Sequence, residues 1–266
     1  MADWDPELYH RFQRYRAEPV DLILERLPLT SADTIADFGC GTGEYTVELA
    51  RRAAPDGTAL GLDSSPAMIH RARALCATLE PPLARRLRFV EGDFRTIEDD
   101  ARYSVIFSNA ALQWATNHRD VLARWTRALK PGGRIVVQMP SNHEETAQMT
   151  LVAMTADAVW QPLVGDLRTP SHAVGTADEY RTMLEALGLV DVACYYHVFH
   201  HPMTSPAAIV EFTRATALRP FFERIPVARH DEFIADFTQR LERAYGTNGP
   251  LIFEFRRLFL WARRPA

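Results

Sequence analysis

The sequence predicts an α/β fold: a doubly wound, mostly parallel sheet of seven strands that carries a helical cap. Three observations predict it. Residues 31–140 alternate short apolar strands with helices, the pattern of a parallel sheet covered on both faces. The first strand, Thr34–Phe38, runs into Gly39-Cys40-Gly41-Thr42-Gly43 at a helix start, where bare backbone approaches a ligand. After a long helical stretch, Leu251–Ala262 alternates aromatic and charged residues, so the chain returns to the sheet.

In chain order, Glu44–Ala54 reads as a helix and Thr58–Asp63 as the second strand. Ser65 then caps a helix with Pro66 at its first position, the favoured arrangement, and that helix continues to about Leu79. Leu87–Glu91 is the third strand, Tyr103–Ser108 the fourth and Val121–Leu129 a helix. The turn Pro131-Gly132-Gly133 leads into the fifth strand, Arg134–Met139. A helix is expected over Glu144–Trp160, followed by a Pro- and Gly-containing loop. Another is expected over Asp178–Leu187, leading into the strand Val190–Val198. Residues 203–248 read as helical pieces broken at Pro220 and Pro226. The organisation expected is one domain over 1–266. Its core is 31–140, 177–202 and 250–264, and its helical cap comes from 1–30 and 203–249.

Composition narrows the partners. A net charge of −4 argues against a protein that lives off phosphate contacts with nucleic acid. Three cysteines without metal-type spacing point to a reduced compartment. The start Met-Ala-Asp-Trp-Asp lacks the apolar core of an export signal, and no apolar run approaches the roughly 20 residues that span a bilayer. The expectation is a cytoplasmic soluble protein with a small anionic substrate and no nucleic-acid, membrane or metal partner. Cys76 and Cys194 read as inert core thiols, and His70 and His118 as surface histidines. His200 and His201 are adjacent on a strand, which points their rings apart.

Chemistry gathers at the strand ends. The dinucleotide version of a glycine loop wants a third glycine three places after the second, and position 44 is Glu. The acid at Asp37 is also foreign to that version. The stretch Asp37-Phe38-Gly39-Cys40-Gly41-Thr42-Gly43 instead resembles the first motif of the class I S-adenosylmethionine-dependent methyltransferases. That resemblance implies a Rossmann-like fold and an acid that faces the cationic methionine end of the cofactor. Asp63 ends the second strand, where an acid can accept both ribose hydroxyls. Asp93 follows the third strand; its carboxylate could accept from the adenine amino group while Phe94 packs on the ring. Asn109 ends the fourth strand and faces the reaction centre. Cys40 and Met68 sit beside these motifs as wall and packing.

The resemblance runs further. Trp4-Asp5-Pro6 with Tyr9, Phe12 and Arg16 resembles the N-terminal segment of the trans-aconitate methyltransferases. So do Ile35 to Gly41, Asp63-Ser64-Ser65-Pro66-Ala67-Met68-Ile69 and Asn109-Ala110-Ala111-Leu112-Gln113-Trp114. Val137-Gln138-Met139-Pro140, Ala217-Leu218-Arg219-Pro220-Phe221 and Arg257-Leu258-Phe259 are similar to later blocks of that family, in the same order. Thr42 departs from it at a position that is often proline, and 161–175 match only loosely, at His172. The resemblance implies cofactor contacts from Tyr9, Phe12, Arg16, Asp37, Gly39, Cys40, Gly41, Asp63, Ser64, Met68, Asp93, Phe94, Asn109 and Ala110.

It also implies methyl transfer to a carboxylate of a small tricarboxylic acid. A carboxylate is already ionised at neutral pH, so no general base is needed and no catalytic dyad is expected. Orientation falls to Asn109 and Trp114, and substrate contacts to Gln113, Trp114, His172, Tyr180, Arg219 and Arg257. Arginine suits the remaining carboxylates because its planar fork binds them in bidentate fashion. Two other readings stay open at this point: methylation of another small-molecule or carrier-bound acceptor, and a cofactor-binding regulatory protein without catalysis.

Overall fold

The apolar runs at Thr34–Phe38, Thr58–Asp63 and Leu87–Glu91 form strands β1, β2 and β3 with those same bounds in the computed structural model. The structure describes residues 6–167, 170–214 and 216–266, with side chains described except at 6–11, 13, 170 and 171. Helix α1 is Pro6–Arg26, α2 Glu44–Arg52, α3 Pro66–Ala77 and α4 Pro81–Ala84. Strand β4 is Tyr103–Asn109, followed by α5, His118–Ala128, and β5, Leu129–Pro140. Then come α6, Thr146–Thr155, α7, Gln161–Val164, α8, Ala177–Ala186, and β6, Val190–Met203. Helices α9, Pro206–Arg214, α10, Arg219–Phe222, and α11, His230–Tyr245, precede β7, Leu251–Arg263.

The seven strands lie in the order β3-β2-β1-β4-β5-β7-β6. Strand β1 pairs in parallel with both β2 and β4, so the order reverses beside it, and ligands in such sheets bind outside the strand ends at that point. Register sets Asp37 opposite Gly61 and Asp63 opposite Glu91, so the acids fall at the carboxyl ends of β1 and β2. Asn109 stands opposite Gln138 at the end of β4.

Several elements differ from the expectation for local reasons. The helix expected over Glu144–Trp160 is shorter, α6 alone, and α7 starts only past its expected end. Beyond Thr155 the Asp157 side chain accepts the Val159 amide at 2.9 Å, a local turn in place of further helix. The turn Pro131-Gly132-Gly133 is a bulge inside β5 and does not precede it: Tyr103 pairs with Leu129 and Val105 with Arg134, so residues 130–133 are looped out against Ser104. Helix α5 starts earlier than expected because the Asn117 side chain accepts the Asp120 amide.

By contacts the chain divides into two compact units. A sheet-bearing unit comprises 16–139, 175–196 and 258–266, and a helical unit 1–15, 140–174 and 197–257. Residues 16–30, expected in the cap, therefore go with the sheet. Val20, Ile23 and Leu24 are buried, and Arg52 Nη1 donates to the Leu24 carbonyl at 3.0 Å. Residues 140–174 go with the helical unit, whose core holds Phe12, Leu151, Trp160, Phe212, Phe233 and Phe253. Among the described residues no helix is long and apolar enough to cross a membrane.

At the opposite ends of the strands, Asp33 ties the sheet together. Its Oδ1 accepts from Ser104 Oγ at 2.7 Å and its Oδ2 from the Thr30 amide at 2.6 Å. Ser104 Oγ in turn accepts the Thr34 amide at 2.9 Å, linking β1 to β4. Asp33→Ala removes the charged acceptor of these part-buried donors. It is expected to lower stability by about 2–3 kcal/mol in urea unfolding monitored by circular dichroism. A loss under about 0.5 kcal/mol would show that the network is dispensable.

Candidate active site

Strand β1 ends in a buried carboxylate. Asp37 is 2% exposed, and its Oδ2 accepts from Thr46 Oγ1, one turn into α2, at 2.6 Å. Burial pushes its pKa up to about 7, against the lowering effect of the Thr46 hydroxyl and with a further rise from the nearby Asp63 charge. Thr46 was not singled out from the sequence. The signal was there: a polar residue on the apolar face of a helix that otherwise buries Val47, Leu49 and Ala50.

The glycine loop is clamped to β2. Gly39 and Cys40 both donate their amides to the Leu62 carbonyl, at 2.8 and 3.1 Å. Asp63 accepts the Gly41 amide on Oδ2 and the Ser65 amide on Oδ1, each at 2.9 Å. Asp63 thus fixes both the loop and the start of α3, where Ser65 caps the Met68 amide as expected. Gly39 has φ +80°, and a Cβ there would meet the Ala111 Cβ at 2.2 Å, so only glycine fits. At Gly41 a Cβ would meet nothing within 4 Å: that side of the loop faces open space. Ser64 and Met68 are exposed on the same segment. Cys40 is buried against Val47, Ile69, Ala72 and Phe89, a packing role, and its thiol is pushed far up by burial and by the Asp37 and Asp63 charges.

Past β3 the structure departs from expectation. Asp93 spends its carboxylate locally: it caps the 3-10 turn at Phe94 and forks with Arg95, at 2.8 Å to Nε and 2.7 Å to Nη2. That pair holds the Asp93 carboxyl below its usual range, so the carboxylate expected for the adenine amino group is already engaged. The sequence held the reason, an arginine two residues on. The Phe94 ring is half-buried, edge-on to Trp125 at 5.7 Å.

Strand β4 delivers Asn109 with a buried Oδ1 that has no hydrogen-bond partner. Ala110 follows at φ +51°, a left-handed conformation held by its amide on the Gln138 carbonyl at 2.8 Å. Gln113 is buried, donates Nε2 to the Ala110 carbonyl at 2.7 Å and leaves Oε1 without a partner. Trp114 beside it is 48% exposed.

Four other expected residues take different places. Tyr180 is a core residue: its hydroxyl bonds the Nδ1 of His118 and points at the Met139 sulfur. His118, expected on the surface, is accordingly buried, with Nε2 bonded to the Ala115 carbonyl at 3.0 Å. Phe12, expected at the cofactor, is buried in the helical unit, edge-on to Phe212 at 5.4 Å. Arg219, expected in an anion pocket with apolar walls, has a side chain 68% exposed and paired to Glu223 at 3.0 Å one helical turn away. Arg16 is half-buried, and its carbonyl accepts from Tyr45 at 3.4 Å. The side chain of Tyr9 lies outside the described residues. In the helical unit Arg257 is buried over the Phe255 ring at 4.5 Å, and the exposed His172 lies 5.6 Å from His143, ring to ring. His200 is exposed and His201 buried, as alternation on β6 requires. Burial and the adjacent Arg257 push His201 down to about 4.

The model of a family described as a methyltransferase domain matches residues 29–188. The trans-aconitate 2-methyltransferases of Variovorax paradoxus and Paracidovorax citrulli are 34% and 35% identical, over 100% of this chain and of each relative. The chain belongs to the trans-aconitate 2-methyltransferase family. Among solved structures, a phosphoethanolamine N-methyltransferase of Haemonchus contortus in complex with S-adenosyl-L-methionine shares the fold. Its TM-score is 0.58 at 16% identity, and the match covers 94% of this chain and 53% of that one. The chain is an S-adenosylmethionine-dependent methyltransferase of the class I, Rossmann-like fold.

The residues present fit that cofactor. A desolvated carboxylate at Asp37 favours a cation beside it, Gly41 leaves room for close approach, and Asn109 holds an acceptor without a partner. Asp37 is costly to the fold by itself. Its pKa is higher folded than unfolded, so below about pH 4 it is neutral in both states and costs nothing. Between about 4 and 7 the unfolded chain alone gives up the proton and stability falls; above about 7 the loss is complete. The stability of Asp37→Asn relative to the parent should therefore rise by about 3 kcal/mol between pH 4.5 and pH 8 in urea unfolding without cofactor. A difference that does not vary with pH would place Asp37 in ordinary carboxylate surroundings.

Proposed function

We propose that the acceptor is trans-aconitate and that one of its carboxylate oxygens takes the methyl group, giving a monomethyl ester. The cofactor supplies the methyl on a sulfonium, an electrophile that needs only an aligned lone pair. A carboxylate brings that lone pair at neutral pH without a base. The chain then has to align the two groups and exclude water, and orientation of this kind can be worth on the order of 7–11 kcal/mol. Asn109, Ala110, Gln113 and Trp114, at the end of β4, carry no titratable side chain, and His118 has both ring nitrogens engaged. That suits an acceptor ionised in advance.

The observation that carries the reading is similarity over the whole length, helical unit included, to relatives named for trans-aconitate. In the sheet-bearing unit Asp37, Gly39, Gly41, Asp63, Ser64, Met68, Phe94, Asn109 and Ala110 are proposed to line the cofactor. Asp63 would accept ribose hydroxyls on lone pairs left after its two backbone bonds. Gln113 and the exposed Trp114 are proposed to face the acceptor. In the helical unit Arg257 is proposed to bind a substrate carboxylate, whereas Arg219 stays a solvated ion pair with Glu223. Free cysteines suit action in the cytoplasm.

Mass spectrometry on a panel of aconitate isomers, citrate and isocitrate tests the acceptor, and a monomethyl ester of trans-aconitate is expected. At saturating cofactor, kcat/KM for the acid should stay flat from about pH 7 to 9. Arg257→Lys should lower it about tenfold or more, with S-adenosylhomocysteine affinity kept within about twofold, because an ammonium cannot reproduce the fork. Arg219→Ala should stay within about twofold of the parent. A rate that climbs with a pKa near 8–9, the mark of a hydroxyl or thiol acceptor, would contradict the proposal.

A further inference from the structure

We infer that the start of α6 is a carboxylate subsite, built by Asn142, His143 and Gln148, which holds an acid group of the substrate remote from the one methylated. The inference rests on the trans-aconitate reading and names how the helical unit recognises a polyacid.

Asn142 is 1% exposed and Gln148 3% exposed. Asn142 Nδ2, His143 Nδ1 and Gln148 Oε1 are all buried without a hydrogen-bond partner. Buried polar groups are normally satisfied, and each exception works against the fold. Three of them within seven residues, on a segment with no catalytic motif, call for a ligand that satisfies them. All three lie on one short turn-and-helix segment. The Asn142 carbonyl accepts the Glu145 amide at 3.0 Å, a turn that leads directly into α6, with Gln148 in the first turn of that helix.

That helix start is open in the chemical sense. Glu145 stands at the N-cap position yet makes no side-chain cap, and no acid lies in the first turn. Uncapped amides and the helix dipole both favour an anion there. The two acids alongside are drawn away by Arg256. It meets Glu144 at 2.7 Å and Glu145 at 3.3 Å, and donates Nε to the Ser141 carbonyl at 2.9 Å. His172, singled out by resemblance, falls next to this group, its ring 5.6 Å from that of His143.

The donors are amides and imidazole, and the two acids alongside are both paired to the one arginine. Such a set fits a carboxylate, which takes two or three hydrogen bonds in a plane, better than a phosphate dianion, which wants arginine or lysine. Asn142 presents its Nδ2 as it stands. Gln148 presents an N–H after a half-turn of its amide, since the two ends of that group exchange by rotation.

The test uses the full chain with two substitutions. Gln148→Glu keeps the shape and adds a like charge. Gln148→Leu removes the polar group at similar volume. Gln148→Glu should raise KM for trans-aconitate about tenfold or more, with kcat within about threefold and S-adenosylhomocysteine affinity within about twofold. Gln148→Leu should lose substrate affinity in the same way yet melt about 2–4 °C higher, because an unsatisfied buried amide is gone. A merely structural glutamine would move the melting temperature down and leave KM in place. Parental KM in either folded variant overturns the subsite. Protection against melting by tricarballylate reads the subsite without turnover. Protection of the parent and not of Gln148→Leu upholds it, and equal protection, or none in either, overturns it. Failure of the parent to methylate trans-aconitate removes the acceptor assignment instead, and the tricarballylate comparison still decides the subsite.

Discussion

A buried carboxylate at the end of β1, beside the reversal of strand order, is the constraint on which the rest of the sheet-bearing unit turns. Asp37 is buried with a single hydroxyl, Thr46 Oγ1, for a partner. Hydrophobic packing would be served better by almost any apolar residue in that place. Its neighbours are arranged to keep it. Asp63 clamps the glycine loop through the Gly41 amide, and Leu62 holds Gly39 and Cys40 from the adjacent strand. Both acids end parallel strands beside the reversal of strand order, so their spacing is set by sheet register and not by flexible loops. A site of this kind is destabilised on its own, and on the reading proposed above a sulfonium beside it would offset that cost.

Similar logic extends to the helical unit in weaker form. Its core is aromatic, with Phe12, Phe212, Phe253 and Phe255 in edge-on contact, and Arg257 lies over the Phe255 ring. A guanidinium held against a ring has already lost rotamer freedom, so if Arg257 binds the substrate as proposed, less would be lost on binding. In the same unit, polar groups at Asn142 and Gln148 are likewise buried at the expense of stability. Both units therefore bury polar groups that packing alone does not explain.

How far the sequence could be read follows from where the causes lie. Strands β1, β2 and β3 were legible to the residue, because short apolar runs between glycine, proline and acidic breaks leave little freedom in a parallel sheet. The Asp37 and glycine-loop motif was legible because backbone geometry dictates its residue types. What failed were side chains whose role depends on a partner. Arg219 looked like an anion binder beside aromatics until Glu223, one turn on, took its charge. Asp93 is engaged by Arg95 two residues away, which sequence does display, whereas the meeting of Tyr180 with His118 spans 62 positions and leaves no local trace. Asn142 and Gln148 escaped because their signal is burial without a partner, a property of the folded chain alone.

The most direct measurement is the proton balance of cofactor binding. Calorimetry of S-adenosylmethionine in buffers of different ionisation enthalpy reports protons released per site. If Asp37 is neutral when buried alone and ionised beside the cation, binding at pH 6 should release close to one proton, and at pH 8.5 close to none. In Asp37→Asn the release at pH 6 should vanish. No proton release at pH 6 by the parent, or the same release by the Asn variant, would contradict the role given to the buried carboxylate.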